Sequence, residues 1–258
     1  MGAGELAGLL VAALAAGWVD AVVGGGGLLL LPAILLASPG IPVATALGTN
    51  KLAAVAGTST AAYTYARRVE IDWRVAGPAV PLAFLFAGGG AILAASVPAS
   101  AFKPVILAVL VFVAIFVTFK PQLGAVPRPE FATPKRIVLA VAVAGGVVAL
   151  YDGLVGPGTG TFLILGLTTI VGADFIRASA MAKLVNVGTN LGALAVFASG
   201  GHVWWAAGAG MAVFNILGAS IGARMALKRG TGFVRGVLLV VVLGLVARLT
   251  YDLLSASG

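Results

Sequence analysis

Eight apolar stretches, each long enough to cross a lipid bilayer as a helix, fill most of this chain, near residues 4–23, 42–66, 74–96, 101–119, 134–155, 174–199, 203–227 and 231–254. A helical span needs ~20 apolar residues, and in lipid the backbone must satisfy its own hydrogen bonds. Charged residues are only 9% of the chain and hydrophobic ones 60%, with a mean hydropathy of +1.12. The fold class is therefore an all-α polytopic membrane protein. The first stretch, Leu6 to Val23, lacks a basic leader, so it reads as a span and not as a cleaved signal. With no cysteine, disulfides and thiolate metal sites are excluded. The net charge of +8 is not a nucleic-acid signal, because twelve of the 16 basic residues fall in segments that read as cytoplasmic loops or helix ends.

Laid on itself so that Lys51 meets Lys183, the chain shows a repeat without gaps. Asp20 then meets Asp152, Gly24 meets Gly156, Gly26 meets Gly158, Val55 meets Val187 and Trp73 meets Trp205. A lysine inside a membrane segment costs roughly 3 kcal/mol on insertion scales. Bearing that cost at two equivalent positions points to a central site for an anion.

Two short apolar stretches, 27–37 and 160–171, follow the clusters Gly24-Gly25-Gly26-Gly27 and Gly156-Pro157-Gly158-Thr159-Gly160. At 1.5 Å per residue they reach only ~17 Å, about half a hydrocarbon core. The proline-rich linker 120–133 divides the chain into a first transmembrane repeat, 1–119, and a second, 134–258. Arg67, Arg68 and Arg74 follow the helix at 42–66, whereas Ser199 to His202 in the second half carries no Lys or Arg. Arg224, Lys228, Arg229 and Arg235 flank the turn near 227–231, whose first-half equivalent has only Lys103. The reversed charge bias predicts two inverted-topology repeats with glycine-broken helices, both termini outside, and 68–74, 120–136, 177 and 224–235 inside. Eight equal spans in two parallel halves are the rival arrangement. The glycines alone admit a plainer reading, close packing of helices.

Lys51 and Lys183 can each donate to an oxyanion, or each can sit in an ion pair within its own half, Lys51 with Asp20 and Lys183 with Asp152. Thr49 and Asn50 precede Lys51, and Asn186 follows Lys183 on one helix face, adding neutral donors. The helix starts at Gly25, Gly26 and Gly27, and at Gly158, Thr159 and Gly160, offer free N–H groups and partial positive charge to an anion. Asp20 and Asp152 either carry a coupling proton, help hold sodium, or balance the lysine charges. Thr58, Ser59 and Thr60 read as structural, Asp174 as the cap of the helix holding Lys183, and Asn215 as a cavity group or a neighbour bond. His202, beside Trp204 and Trp205, reads as part of an interfacial belt. No nucleophile–base constellation, nucleotide loop or metal cluster is evident, so neither catalysis nor a cofactor is expected.

The run Gly17-Trp18-Val19-Asp20-Ala21-Val22-Val23-Gly24-Gly25-Gly26-Gly27, with Pro32 and then Ala46-Leu47-Gly48-Thr49-Asn50-Lys51, resembles the TauE/SafE sulfite exporter family over nearly the whole chain. The second half departs from that pattern, with Pro157 and Thr159 where glycine is commoner. The resemblance implies a bacterial inner-membrane protein that moves sulfur-containing anions such as sulfite, thiosulfate, sulfoacetate or other organosulfonates. Together these readings predict a secondary transporter of a small anion, working by alternating access around a midplane site. An anion channel and a structural or assembly subunit are the alternatives. Oligomeric state and direction of transport are not legible in the sequence.

Overall fold

The first helix, α1 (Ala3–Val23), begins where the Gly2 N–H donates to the Glu5 carboxylate at 2.8 Å. It stops at Gly24, whose φ of 79° returns its N–H to the Asp20 carbonyl. This computed structural model describes residues 2–94 and 126–255. After α1 come α2 (Gly27–Ala37), α3 (Val43–Ala66) and α4 (Trp73–Ala94). The expected helix at 101–119 lies outside the described residues. Beyond a 3-10 turn at Pro129–Phe131, a second series follows: α5 (Pro134–Val141), a π-helical turn (Ala142–Val148), α6 (Ala149–Leu154), α7 (Thr159–Val171), α8 (Phe175–Ser199) and α9 (Trp205–Ser255), which breaks at Gly230. All described secondary structure is helical.

Five described stretches are long and apolar enough to cross a membrane: Gly4–Val23, Trp73–Ala94, Pro134–Leu154, Phe175–Ser199 and Trp205–Val241. α2 and α7 are the short apolar helices the sequence predicts. α3 is long enough, but it is rich in polar residues, and Thr49, Asn50, Lys51 and Thr58 are all buried. The chain is a multi-pass, all-helical membrane protein.

Helix directions follow from which residues meet. Leu10 lies against Gly210, Trp18 against Gly222, Leu52 against Gly208 and Asn215 against Gly57, so α1, α3 and α9 run one way. Val80 meets Gly188, Phe84 meets Gly192 and Ala87 meets Gly153, so α4, the α5–α6 span and α8 run together. Phe197 beside Gly48 and Arg177 beside Glu70 make α3 and α8 antiparallel. Each half's fourth helix therefore packs on the other half: α4 on the α5–α6 span and α8, and α9 on α1 and α3. That arrangement is compatible with two inverted halves. Without a hydrophobic force between helices in lipid, such contacts rest on close packing of small residues, and glycines line these seams.

One face gathers the 67–72 turn, the 128–136 segment and the 170–177 turn. The Arg177 guanidinium meets Glu70 at 3.3 Å, the Arg128 N–H donates to the Gly172 carbonyl at 2.7 Å, and Arg136 stacks on Phe131 at 4.2 Å. In the same turn, hydrogen bonds from Arg74 hold the Asp72 carboxyl below its usual value. Trp73 starts α4 on this face at 62% exposure, and Trp205 starts α9 on the opposite face at 58%, as an aromatic belt requires.

The two breaks meet backbone to backbone. A Cβ added at Gly24 stands 2.3 Å from the Gly160 carbonyl carbon, and one at Gly160 stands 2.4 Å from the Gly24 Cα. Gly24→Ala and Gly160→Ala are each expected to destabilise by about 1–3 kcal/mol through overpacking, with a further cost at Gly24 for its positive φ. Gly77→Ala, with no atom within 4 Å of the new Cβ, serves as the neutral control in α4. Melting of the detergent-purified variants checks this, and unchanged midpoints for Gly24→Ala and Gly160→Ala refute the contact.

Candidate functional site

Lys51 and Lys183 each occupy the ninth position of their helix, α3 and α8. Both are buried, and both are paired. Lys51 Nζ donates to Asp152 Oδ2 at 2.6 Å, with both side chains 3% exposed. Lys183 Nζ lies 3.2 Å from Asp20 Oδ2 and also donates to the Asp20 backbone carbonyl. The ion pairs are therefore crossed. Each lysine reaches the aspartate of the other half, where the sequence reading paired each with its own. The antiparallel course of α3 and α8 is the physical reason, because it carries each lysine to the broken helix end of the opposite half.

Each ammonium sits at the C-terminal end of a broken helix, where unsatisfied carbonyls make a partial negative charge. At α1 those carbonyls find partners in the chain that follows and on other helices. The Gly24 N–H and Lys183 serve the Asp20 carbonyl, the Tyr65 hydroxyl donates to the Ala21 carbonyl at 3.1 Å, and the Thr161 hydroxyl to that of Val23 at 2.9 Å. Thr58 donates to Asp20 Oδ2 at 3.1 Å. In the second half, Thr159 lies within hydrogen-bond reach of Asp152 Oδ1, at 2.6 Å, and of the Gly156 carbonyl, at 2.7 Å. The Tyr151 hydroxyl donates to the Pro157 carbonyl at 2.7 Å. Thus the broken backbone at this depth is tied by side chains, as a lipid-embedded chain demands.

Thr58, which donates to Asp20, lies seven residues beyond Lys51 on α3, or about 10 Å along the axis. Asn50 is 6% exposed, and its Oδ1 has no partner. Its Nδ2 lies 3.6 Å from the point where a Gly27 Cβ would stand, and the Pro157 Cα lies 3.7 Å from that point. A Cβ at Gly156 would stand 3.5 Å from Lys51 Nζ.

So the structure brings together Asn50, Lys51, Gly27, Asp152 and Thr159 on one side, and Lys183, Asp20 and Gly24 on the other, with Gly160 at the seam. Gly158 has a φ of 86° and caps α7. Gly26 packs over Ala16 and Asp20, and Gly25 toward Val19 and Val241. Of two expected donors, Thr49 is engaged elsewhere and Asn186 is tied through its side-chain oxygen. Thr49 donates to the Thr45 carbonyl at 2.6 Å and accepts the Trp204 N–H at 2.9 Å. The Asn186 carbonyl oxygen accepts from Thr189 and Asn190 of its own helix. Asp174 caps α8 through the N–H groups of Ile176 and Arg177 as expected, and Asn215 bonds the Ala13 carbonyl. Sequence reasoning missed Tyr65 and Tyr151 and read Thr58 only as structural. The available signal was a hydroxyl inside an apolar helix, beside a break for Tyr151 and one helix away from it for Tyr65 and Thr58.

A bundle of membrane-spanning helices with two broken elements meeting at paired buried charges defines a class: the polytopic membrane transporters. The chain matches the family described as sulfite exporter TauE/SafE over residues 9–249, and it belongs to that family. The probable membrane transporter protein ORF9 of Sinorhizobium sp is 37% identical over 96% of this chain and 93% of its own length. The probable membrane transporter protein YfcA of Escherichia coli K12 is 34% identical over 95% of this chain and 89% of its own length. A probable membrane transporter protein of Haemophilus influenzae is 33% identical over 96% and 95%. No solved structure matches the chain. The protein is a membrane transporter of the helical type found in bacterial inner membranes.

Breaking one buried pair leaves an unpaired charge, which costs about 3–5 kcal/mol in buried sites. Lys51→Ala should lower the melting temperature, and Asp152→Asn should recover most of the loss while Asp20→Asn does not. Lys183→Ala should show the reverse preference. Rescue within the same half contradicts the crossed pairing.

Proposed function

We propose that this protein is a secondary transporter of a small sulfur oxyanion or organosulfonate, working by alternating access around the crossed ion pairs. The site is built from Lys51 and Asn50, from Lys183, from Asp20 and Asp152, and from the helix starts after the two breaks. The observation that carries this reading is that each lysine is neutralised by the opposite half. An incoming anion competes with an internal carboxylate for a lysine. Winning that competition also loosens a contact that holds the halves together, so binding is linked to a change of conformation. The two pairs are separate contacts, so one can open while the other stays closed.

The opposed directions of equivalent helices, α1 against α5–α6, α3 against α8 and α4 against α9, support inverted repeats with boundaries at 1–119 and 134–258. Each half then supplies one lysine, one aspartate and one glycine break. The sulfur class rests on the family's name. When Asp152 or Asp20 loses its lysine to an anion, a proton or sodium ion restores neutrality, so these carboxylates are the coupling candidates.

A ligand that binds only the folded state raises the melting temperature by mass action. Sulfite, sulfate, thiosulfate, sulfoacetate, taurine, phosphate and acetate are compared with the detergent-purified chain. Selective stabilisation by one sulfur anion is expected, with the shift abolished in the charge-balanced double variant Lys51→Ala, Asp152→Asn. No stabilisation by any anion, or an undiminished shift in the double variant, rejects the anion site.

A further inference from the structure

The two halves are not equal at the site. Lys183 is held by both the carboxylate and the backbone carbonyl of Asp20, and Thr58 holds that carboxylate as well. Lys51 makes one hydrogen bond among the described residues, to Asp152, although an ammonium has three N–H donors. Beside Lys51 stands Asn50, and the equivalent residue beside Lys183 is Ala182. Asn50 is more than nine-tenths buried with its Oδ1 unpartnered, and its Nδ2, on the same amide carbon, lies 3.6 Å from where a Cβ on Gly27, the first residue of the eleven-residue α2, would stand.

Resting on the anion-transport reading, we propose that the anion site lies at the start of α2, with Lys51 and Asn50, and that it selects oxyanions carrying a hydrogen-bond donor of their own. The spare Lys51 donors and the backbone N–H of Gly27 receive the ligand's oxygens, at the positive end of α2, where Leu28 and Leu29 already donate to the Gly25 and Gly26 carbonyls. Asn50 Oδ1 cannot bond an oxygen that carries no hydrogen. It accepts only from a donor, and a buried acceptor left without one weakens binding. A hydrogen-bearing oxyanion, such as hydrogensulfite, or an oxyanion with an amino group on its sulfur, satisfies both ends at once. Lys183 then keeps its pair with Asp20 while the ligand is bound.

The matched probes are methanesulfonate and sulfamate, which share one negative charge and nearly the same size. They differ in a methyl group against an amino group on the sulfur. Binding to the detergent-purified full chain is measured by calorimetric titration and by thermal stabilisation. Sulfamate is expected to bind about tenfold or more tightly than methanesulfonate, the ratio for one unmet buried acceptor. Asn50→Ala copies the residue the second half carries, and it should bring the two probes to equal affinity while the variant still melts cooperatively. Asn50→Leu, which fills the space with an apolar group, should do the same and guards against a local collapse in the alanine variant. Equal affinity of the probes for the unaltered chain overturns the proposal, and so does a preference that survives both substitutions. Binding of sulfite with no binding of either probe overturns it while leaving the anion-transport reading intact. Failure of every anion to bind removes that reading together with this one.

Discussion

Two lysines buried in an apolar bundle are the constraint on which the rest depends. Neither can remain charged in that setting without a counter-charge, and each finds it on the opposite half of the chain. Closure of the interface between halves is therefore tied to charge neutralisation. Hydrophobic burial cannot supply that specificity in lipid, where the surroundings are as apolar as the helix surfaces. The ion pairs and the glycine seams do it, and they fix which helices meet and at what register.

The glycine breaks follow from the same constraint. Bringing Asp20 and Asp152 to the centre requires helices that end inside the bundle, and such ends expose carbonyls that lipid cannot satisfy. Lys183, Tyr65 and Thr161 each donate to one of the last carbonyls of α1. The close approach of Gly24 to Gly160 then leaves room for no side chain at the seam. Among the described residues, a substrate reaching this centre meets Asn50 with its Oδ1 unpartnered and Lys51 with N–H donors to spare.

Much of the fold was legible because apolar length and punctuation dictate it. The short helix Gly27–Ala37 follows from the three glycines before it and a polar turn after it, and the break at Gly230 falls between the two stretches read as separate spans. Asp174 is recognisable as a cap from its place before an apolar run. The candidate lysines and aspartates stand out as isolated charges. What the sequence does not carry is their pairing. Lys51 with Asp20 and Lys51 with Asp152 are equivalent in composition and in repeat position, and only the antiparallel course of α3 and α8 separates them. The roles of Thr49 and Asn186 were hidden for a similar reason. Their partners, the Trp204 N–H and the Thr189 and Asn190 side chains, depend on rotamers and on a loop from another part of the chain. The π-helical turn at Ala142–Val148 has only Gly145 and Gly146 as its trace in the sequence.

The central claim is that an anion crosses by exchanging with internal carboxylates in a carrier whose halves move, and counterflow in reconstituted vesicles tests it most directly. Vesicles loaded with unlabelled sulfite or sulfoacetate are diluted into a trace of the labelled anion. A carrier predicts saturable uptake and a transient accumulation of label above its external concentration, both lost in the Lys51→Ala, Asp152→Asn variant. Flux that rises linearly with concentration and shows no overshoot is the signature of an open pore and contradicts the account.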